Sequence, residues 1–440
     1  MAPRPPLSAR VRAVEVLREV LERGGRATAE LAQASRGLSR EDGDLLREIV
    51  LGVLRQRDRL DAELSSASRV ALTRLTPDLR EILEVALYQV RHLDRVPAYA
   101  AVDEAVAHAK ARGGSGAAGL VNAVLRNLLR QPPPPSGEGT GATALALLYS
   151  HPEFLVRRWL DCFGEETTRR ILEADNAHSG LDLMTNTRRT DRARLAAALE
   201  ADGISTEPSL LSPLALTVLA GNPLRSRLFA AGHFTVQDAA SQALPLLLPP
   251  GETLVDLAAA PGGKSFSAVL HGRARRAFAL DRSVARLNLL RENRVRLGIF
   301  EVVPAAGDVL AAPLPPGGFE RVLFDAPCSG TGTLRKNPEI RYRVTPESIA
   351  RLARAQEEGL AAAADLLAPG GFLLYSTCSL EEEENEGVVA RVLARRPEIE
   401  PAAIAVSGEL APCVSGNRFR ILPAGANDGF TAHLLHRVTG

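Results

Sequence analysis

Between Gly251 and Ser379 the chain alternates short apolar runs with longer amphipathic stretches, and this alternation restricts the fold more than any other feature. The runs TLVDL (253–257), RAFALD (276–281), EVVPAAGD (301–308), RVLFDAP (321–327) and GFLLYSTCS (371–379) have strand length and strand composition. Helical patterns separate several of them. One starts near Lys264, one is SVARLNLLRENRVRLG, and one runs from Thr345-Pro346 to Ala368, where Pro369-Gly370-Gly371 ends it. Strands alternating with helices predict parallel pairing through crossovers, hence a doubly wound, Rossmann-like α/β sheet. Such sheets bind ligands at the carboxyl ends of their strands.

The rest of the 440-residue chain is too long to be one more element of that sheet. The first 130 residues read as an all-α domain. Val11, Val14, Leu17 and Leu21 recur at helical spacing until Gly24-Gly25. In LTPDLREILEVALYQV, Thr76 is an N-cap with Pro77 at the first helical position, and Leu79, Ile82, Leu83, Ala86, Leu87 and Val90 form one apolar face. AAGLVNAVLRNLLR repeats the pattern. QPPPPSGEGTGA then breaks it, because four prolines followed by Gly, Ser and Glu neither continue a helix nor fill a core. After it comes a mixed segment, with a helix over PEFLVRRWLDCFG and a strand and turn over LDLMTNTRR. The expected organisation is a helical domain over 1–130, a linker over 131–144, a small α+β domain over 145–231 and the α/β domain over 232–440.

Composition narrows the setting. No apolar run reaches the ~18 residues that span a bilayer, and the first residues lack a signal-peptide core, so a cytosolic protein is expected. Cys162, Cys328, Cys378 and Cys413 form no C-x-x-C pair, which argues against a zinc site and a disulfide framework. Residues 1–130 carry 21 basic and 17 acidic side chains, an excess that permits nucleic-acid binding without requiring it. Only Lys110, Lys264 and Lys336 among the 53 basic residues are lysines, so a lysine can mark a place needing a compact ammonium.

The strand ends carry the chemistry. Asp256, Asp281, Asp308 and Asp325 follow four of the strands, and Cys378 follows the fifth, all on one rim. One Asp after a strand is usually a turn or cap; a full set on the binding rim is harder to dismiss. The loop Ala258-Ala259-Ala260-Pro261-Gly262-Gly263-Lys264 ends like a phosphate loop, but alanine stands at 258 where G-x-x-x-x-G-K-[ST] needs glycine. Asp281 lies 18 residues beyond Gly263, the spacing of an acid that accepts from ribose hydroxyls. With no G-x-G-x-x-G for a pyrophosphate, a ligand with adenosine and no phosphate fits, and S-adenosyl-L-methionine is one.

The cysteines divide by context. Cys162 and Cys413 read as inert core residues. Cys328 in DAPCSGTG and Cys378 in STCS read as facing a pocket, with Arg335, Lys336, Arg341 and Arg343 of LRKNPEIRYR nearby to favour a thiolate. EEEENE (381–386) reads as a solvated helix start.

DLAAAPGGKS, DAPCSGTGTLRKNPEIRYR and YSTCSLEEEENE together resemble the motifs of the Nol/Nop/Sun family of RNA cytosine-C5 methyltransferases, with GHFTVQDAASQAL and DGFTAHLLHR extending the likeness over 232–440. Residues 1–130 resemble NusB, a helical RNA-binding domain. The fusion is similar to that of bacterial 16S rRNA cytosine-C5 methyltransferases of the B type. Ala258 departs from the family, which often has cysteine there. The resemblance implies Cys378 as the nucleophile on cytosine C6 and Cys328 in proton removal or release. It implies Asp325 at the cytosine edge and near the cofactor, 258–264 as the cofactor loop, Asp281 at the ribose and Asp308 at the adenine. It implies 16S rRNA as substrate, S-adenosyl-L-methionine as cofactor, no metal, no membrane and a monomer. Other readings remain: Cys328 as nucleophile, as the Pro-Cys pair is in DNA cytosine-C5 enzymes; the same chemistry on tRNA or 23S rRNA; a non-catalytic ribosome-assembly factor; and a nucleotide hydrolase using RVLFD as a metal-binding strand.

Overall fold

The N-terminal periodicities become helices. They are α1 (Ala9–Glu22), α2 (Ala27–Ala34), α3 (Arg40–Ala67), α4 (Pro77–His92), α5 (Ala98–Leu129), α6 (Ala142–Tyr149) and α7 (Glu153–Asn176). Val14, Leu17 and Val20 of α1 are buried against Leu46, Ile49 and Val53 of α3 and Ile82 and Ala86 of α4 in one core. Thr76 stands at the N-cap of α4, although its hydroxyl makes no capping bond, and Pro77 opens the helix. The computed structural model describes residues 8–130, 140–178, 180–425 and 427–439. Most of the expected linker, 131–139, lies outside the described residues.

The chain divides into two units. The helical one holds the chain through Ala177 together with Leu334–Arg343; the other holds His178–Thr333 and Val344 onward. The second unit begins with β1 (Leu181–Thr185), α8 (Arg192–Ala201), β2 (Ser205–Pro208), β3 (Ala215–Ala220), α9 (Arg227–Ala230), β4 (Phe234–Val236) and α10 (Ala239–Ala243). Its strands form an antiparallel sheet in the order β2-β3-β1-β4. Met184 and Ala215 of this sheet share a core with Ala240 and Phe266, so the small sheet is built onto its larger neighbour.

The large sheet arises from β5 (Gly251–Asp256), α11 (Gly263–Leu270), β6 (Ala274–Asp281), α12 (Val284–Leu297), β7 (Val302–Ala306), β8 (Phe319–Asp325), α13 (Pro346–Asp365), β9 (Leu367–Thr377), α14 (Glu386–Leu393), β10 (Ile399–Pro401), β11 (Val414–Ser415), β12 (Arg418–Ile421) and β13 (Phe430–Arg437). Its order is β11-β12-β13-β9-β8-β5-β6-β7, with β10 also on β13. Neighbouring residues alternate between its faces. Leu254, Leu323 and Leu374 pack with α11 and α12, whereas Val255, Val322 and Leu373 pack with α13 and α14.

Two expectations are corrected. The sheet is mixed, not purely parallel: β5 to β9 pair in parallel, but β13 lies antiparallel to β9 and β12 to β13. The short connection from β12 to β13 has no room for a crossover helix, so it returns as an antiparallel neighbour. Pro369-Gly370-Gly371 does not separate helix from strand; it lies inside β9. The register slips between Phe319 and Arg321 opposite it, a bulge that absorbs the irregular residues. Along the parallel part, strand order reverses direction at β5 and β8, so their carboxyl ends flank the switch-point crevice.

Candidate active site

The carboxyl ends of β5, β8 and β9 place the expected acids and thiols together. Asp256 ends β5, Asp281 ends β6 and Asp325 ends β8; Cys378 directly follows β9. Asp325 and Ser376 are paired across β8 and β9, and the Ser376 hydroxyl donates to Asp325 Oδ1 at 2.8 Å. Lys264, on the first turn of α11, donates from Nζ to Asp325 Oδ2 at 2.6 Å. Burial alone would lower the Lys264 pKa, but Asp325, then Asp256 and Cys378, outweigh it and hold the ammonium charged above its ordinary value. The ring of Phe430 lies 5.7 Å from Nζ.

Asp256 is buried, and burial pushes its carboxyl up to about 6 against the pull of Ser265 and Lys264. Ser265 Oγ donates to its Oδ2 at 2.7 Å. The lysine and serine that would serve phosphate and magnesium in a nucleotide hydrolase are thus engaged by two aspartates. The preceding loop is fixed by Ala259 N–H to Leu280 O at 2.9 Å, and by Ala260 N–H to Asp281 Oδ2 at 3.1 Å. Gly262, at φ 106, caps α11; a Cβ there would lie 2.5 Å from the Phe266 ring.

Asp281 also accepts from Ser283 N–H at 2.8 Å, while Arg286 stands 3.4 Å away. Asp308 lies exposed just beyond β7, its Oδ1 accepting from Leu310 N–H at 3.0 Å. Asp281 and Asp308 thus stand at the carboxyl ends of paired strands, β6 and β7, where acceptor carboxylates could meet the hydroxyl or amino groups of a nucleoside. Among the described residues, no group of three or more His, Cys, Asp or Glu is arranged to hold a metal ion.

The two thiols meet. Cys328 Sγ and Cys378 Sγ are 3.4 Å apart, and both residues are half-buried. The hydrogen bond to Cys378, then burial and the charge on Cys378, push the Cys328 thiol well above its ordinary pKa, so it stays protonated.

Three readings of this region change. Leu334–Arg343 is inlaid among the helices, and two of its four expected cations, Arg341 and Arg343, are engaged there. The buried Arg341 guanidinium donates to Arg55 O at 3.0 Å, Asp175 O at 2.9 Å and Asn176 Oδ1 at 2.8 Å, and Arg343 donates to Val20 O at 2.7 Å. Those arginines find carbonyl partners that sequence distance conceals. Cys162 is exposed on α7, so it is not a core residue, whereas Cys413 is half-buried and packs against the core of the large sheet. EEEENE is not simply solvated: Glu381, Glu384 and Asn385 are buried, and Glu384 bonds the cysteine loops. Composition hid this, because a run of acids looks like surface.

Similarity to known proteins completes the picture. Residues 243–436 match the model for 16S rRNA methyltransferase RsmB/F, 7–130 the NusB family, and 151–225 the ferredoxin-like domain of RsmF/B-like methyltransferases. The probable ribosomal RNA small subunit methyltransferase B of Bacillus subtilis is 34% identical over 398 residues, 88% of this chain and 89% of its own. The ribosomal RNA small subunit methyltransferase B of Vibrio cholerae is 35% identical over 407 residues, covering 89% and 90%. The chain belongs to the 16S rRNA methyltransferase RsmB/F family. The RsmB/F family is S-adenosyl-L-methionine-dependent, in keeping with the acceptor carboxylates above. The crystal structure of PH0851 shares the fold, with a TM-score of 0.81, 27% identity and 99% coverage of both chains. Among the described residues, no helix is long and apolar enough to cross a membrane.

Proposed function

We propose that the chain methylates C5 of a cytosine in 16S rRNA through a covalent intermediate between Cys378 and C6. Cytosine C5 is a poor nucleophile until a thiolate adds to C6 and makes C5 enamine-like. When bound, S-adenosyl-L-methionine supplies a methyl group on a sulfonium. Residues 258–264 would hold it as the cofactor loop, with Asp281 at the ribose, Asp308 at the adenine and Asp325 within reach of both ligands.

The observation that carries this reading is the pair of thiols 3.4 Å apart beside the Lys264–Asp325 pair. Cys378 attacks C6. Asp325, its carboxylate steadied by Lys264 and Ser376, orients the cytosine edge and stabilises charge on the adduct. The C5 proton then leaves and the sulfur–C6 bond breaks, and Cys328 serves that removal or release. The base must leave its stack to meet these groups. The helical segment 1–130 and the segment 145–231 dock the RNA, with the enzyme acting in the cytosol as a metal-free monomer.

Small-subunit rRNA and S-adenosyl-L-methionine are incubated with Cys378→Ala or Cys328→Ala and run on a denaturing gel. Cys328→Ala is expected to trap a protein–RNA adduct, and Cys378→Ala to give neither adduct nor product. The reversed pattern would make Cys328 the nucleophile.

A further inference from the structure

We infer that Glu384 is a positioning residue that holds the Cys328 and Cys378 loops together and sets the spacing of their thiols. The inference rests on the two-cysteine reading above. Glu384 is fully buried in the segment between β9 and α14. Its Oε1 accepts from Ser329 N–H at 2.9 Å and from Gln356 Nε2 at 2.9 Å. Its Oε2 accepts from the Ser379 hydroxyl at 2.5 Å and from the Ser329 hydroxyl. Ser329 follows Cys328, and Ser379 follows Cys378. The two serine hydroxyls lie 3.1 Å apart. Gln356, from α13, also reaches Pro327 O at 2.9 Å, on the other side of Cys328. One carboxylate is therefore bonded to the residue after each thiol and, through Gln356, to the residue before one of them.

Glu384 is itself held. Tyr375 OH donates to its carbonyl at 2.6 Å, and the adjacent Asn385 accepts from Thr377 Oγ1 at 2.7 Å and donates to Ser379 O at 3.1 Å. A buried carboxylate is tolerated in such a place only when its lone pairs are met, and four donors meet them here. The spacing matters because the thiols perform separate steps on one base, and small misplacements of reacting groups are costly. The charge matters too. After the Cys378 hydrogen bond, burial and the Cys378 charge, Glu384 adds to the forces keeping Cys328 protonated. Glu384 thus acts on Cys328 through the loop that carries it and through its charge.

The test compares Glu384→Gln and Glu384→Asp with wild type in the full chain. Steady-state methyl transfer to small-subunit rRNA, binding of S-adenosyl-L-methionine and the pH dependence of alkylation at the Cys328 peptide are measured. Glu384→Gln is expected to lower kcat about 100-fold, with cofactor affinity and the KM for rRNA within about twofold, and to move Cys328 alkylation to lower pH. Glu384→Asp keeps the charge, so it should restore the alkylation profile more fully than kcat. A merely structural residue would lose cofactor affinity with kcat and leave the alkylation profile unmoved, and that result, or near-wild-type kcat in Glu384→Gln, would overturn the inference. Should Glu384→Gln fail to fold, the Ser329→Ala, Ser379→Ala double variant removes two anchors; a kcat about tenfold lower with the same cofactor affinity is expected, and wild-type kcat overturns the inference. Cys378→Ala assayed in parallel separates the readings: methyl transfer by that variant sinks the two-cysteine mechanism, whereas the alkylation profile judges Glu384 without any RNA chemistry.

Discussion

Glu81, on α4, illustrates how one residue departs from its pattern. The apolar face of that helix is legible in Ile82, Leu83, Ala86 and Leu87, yet Glu81 and Glu84 are buried beside them. Glu81 Oε2 has no hydrogen-bond partner, and burial first, then Glu84, raises its pKa from 4.5 to about 8. The sign follows from proton binding. The folded state holds this proton more tightly than the unfolded state, so the contribution to stability is whole below about pH 4.5 and is lost as pH rises through 8. Glu81→Gln should therefore raise Tm at pH 8.5 by about 2–8 °C and change it little near pH 4.5. Equal shifts in scanning calorimetry at both pH values would show that charge is not the cause. Lys264 shows the opposite case: its rarity as a lysine pointed to a compact ammonium, and it meets Asp325 at 2.6 Å.

Among the elements, the loops after β8 and β9 decide the site. They are joined by backbone as well as by Glu384. Gly332 N–H donates to Cys378 O at 2.9 Å, and Gly429 N–H donates to Gly332 O at 2.7 Å. A Cβ on Gly332 would lie 2.5 Å from Gly429 O and 3.0 Å from Cys378 O, and neither is the movable end of a side chain. Gly332→Ala is expected to shift the Cys378 carbonyl and cut kcat at least about tenfold. The cofactor loop is a separate element fixed to β6, so binding of S-adenosyl-L-methionine by titration calorimetry should stay near wild type. Wild-type turnover in Gly332→Ala would show that the loops have slack. DGFTAHLLHR acquires a physical role here, because Gly429 permits close approach and Phe430 begins the strand beside β9.

For the whole molecule, the inlaid segment Leu334–Arg343 carries the greatest consequence. Beyond Arg341, Tyr342 OH donates to Leu54 O at 2.7 Å and Ala27 N–H donates to Glu339 Oε1 at 3.1 Å. The helical unit is thus completed by residues far along the chain. Arg341→Met would strand several buried carbonyls and should destabilise that unit by at least about 3 kcal/mol. Trp159, the single tryptophan, is buried within the same unit, so its fluorescence during urea unfolding of the full chain reports the change. A loss under about 1 kcal/mol would mean the guanidinium bonds are replaceable.

The sequence by itself determined the elements and the rim. Periodicity identified α1, α4 and the five parallel strands, because apolar spacing of 3.6 or 2 is set by local backbone geometry. Asp256, Asp281, Asp325 and Cys378 could be placed on one rim because each ends a strand or directly follows one. Tertiary structure alone decided the rest. Antiparallel β13 beside β9, burial of Glu384, the inlay of Arg341 and exposure of Cys162 all depend on partners tens to hundreds of residues away. A buried acid and a solvated acid have the same letter; which one a residue becomes depends on whether donors from other elements converge on it, and no local pattern records that.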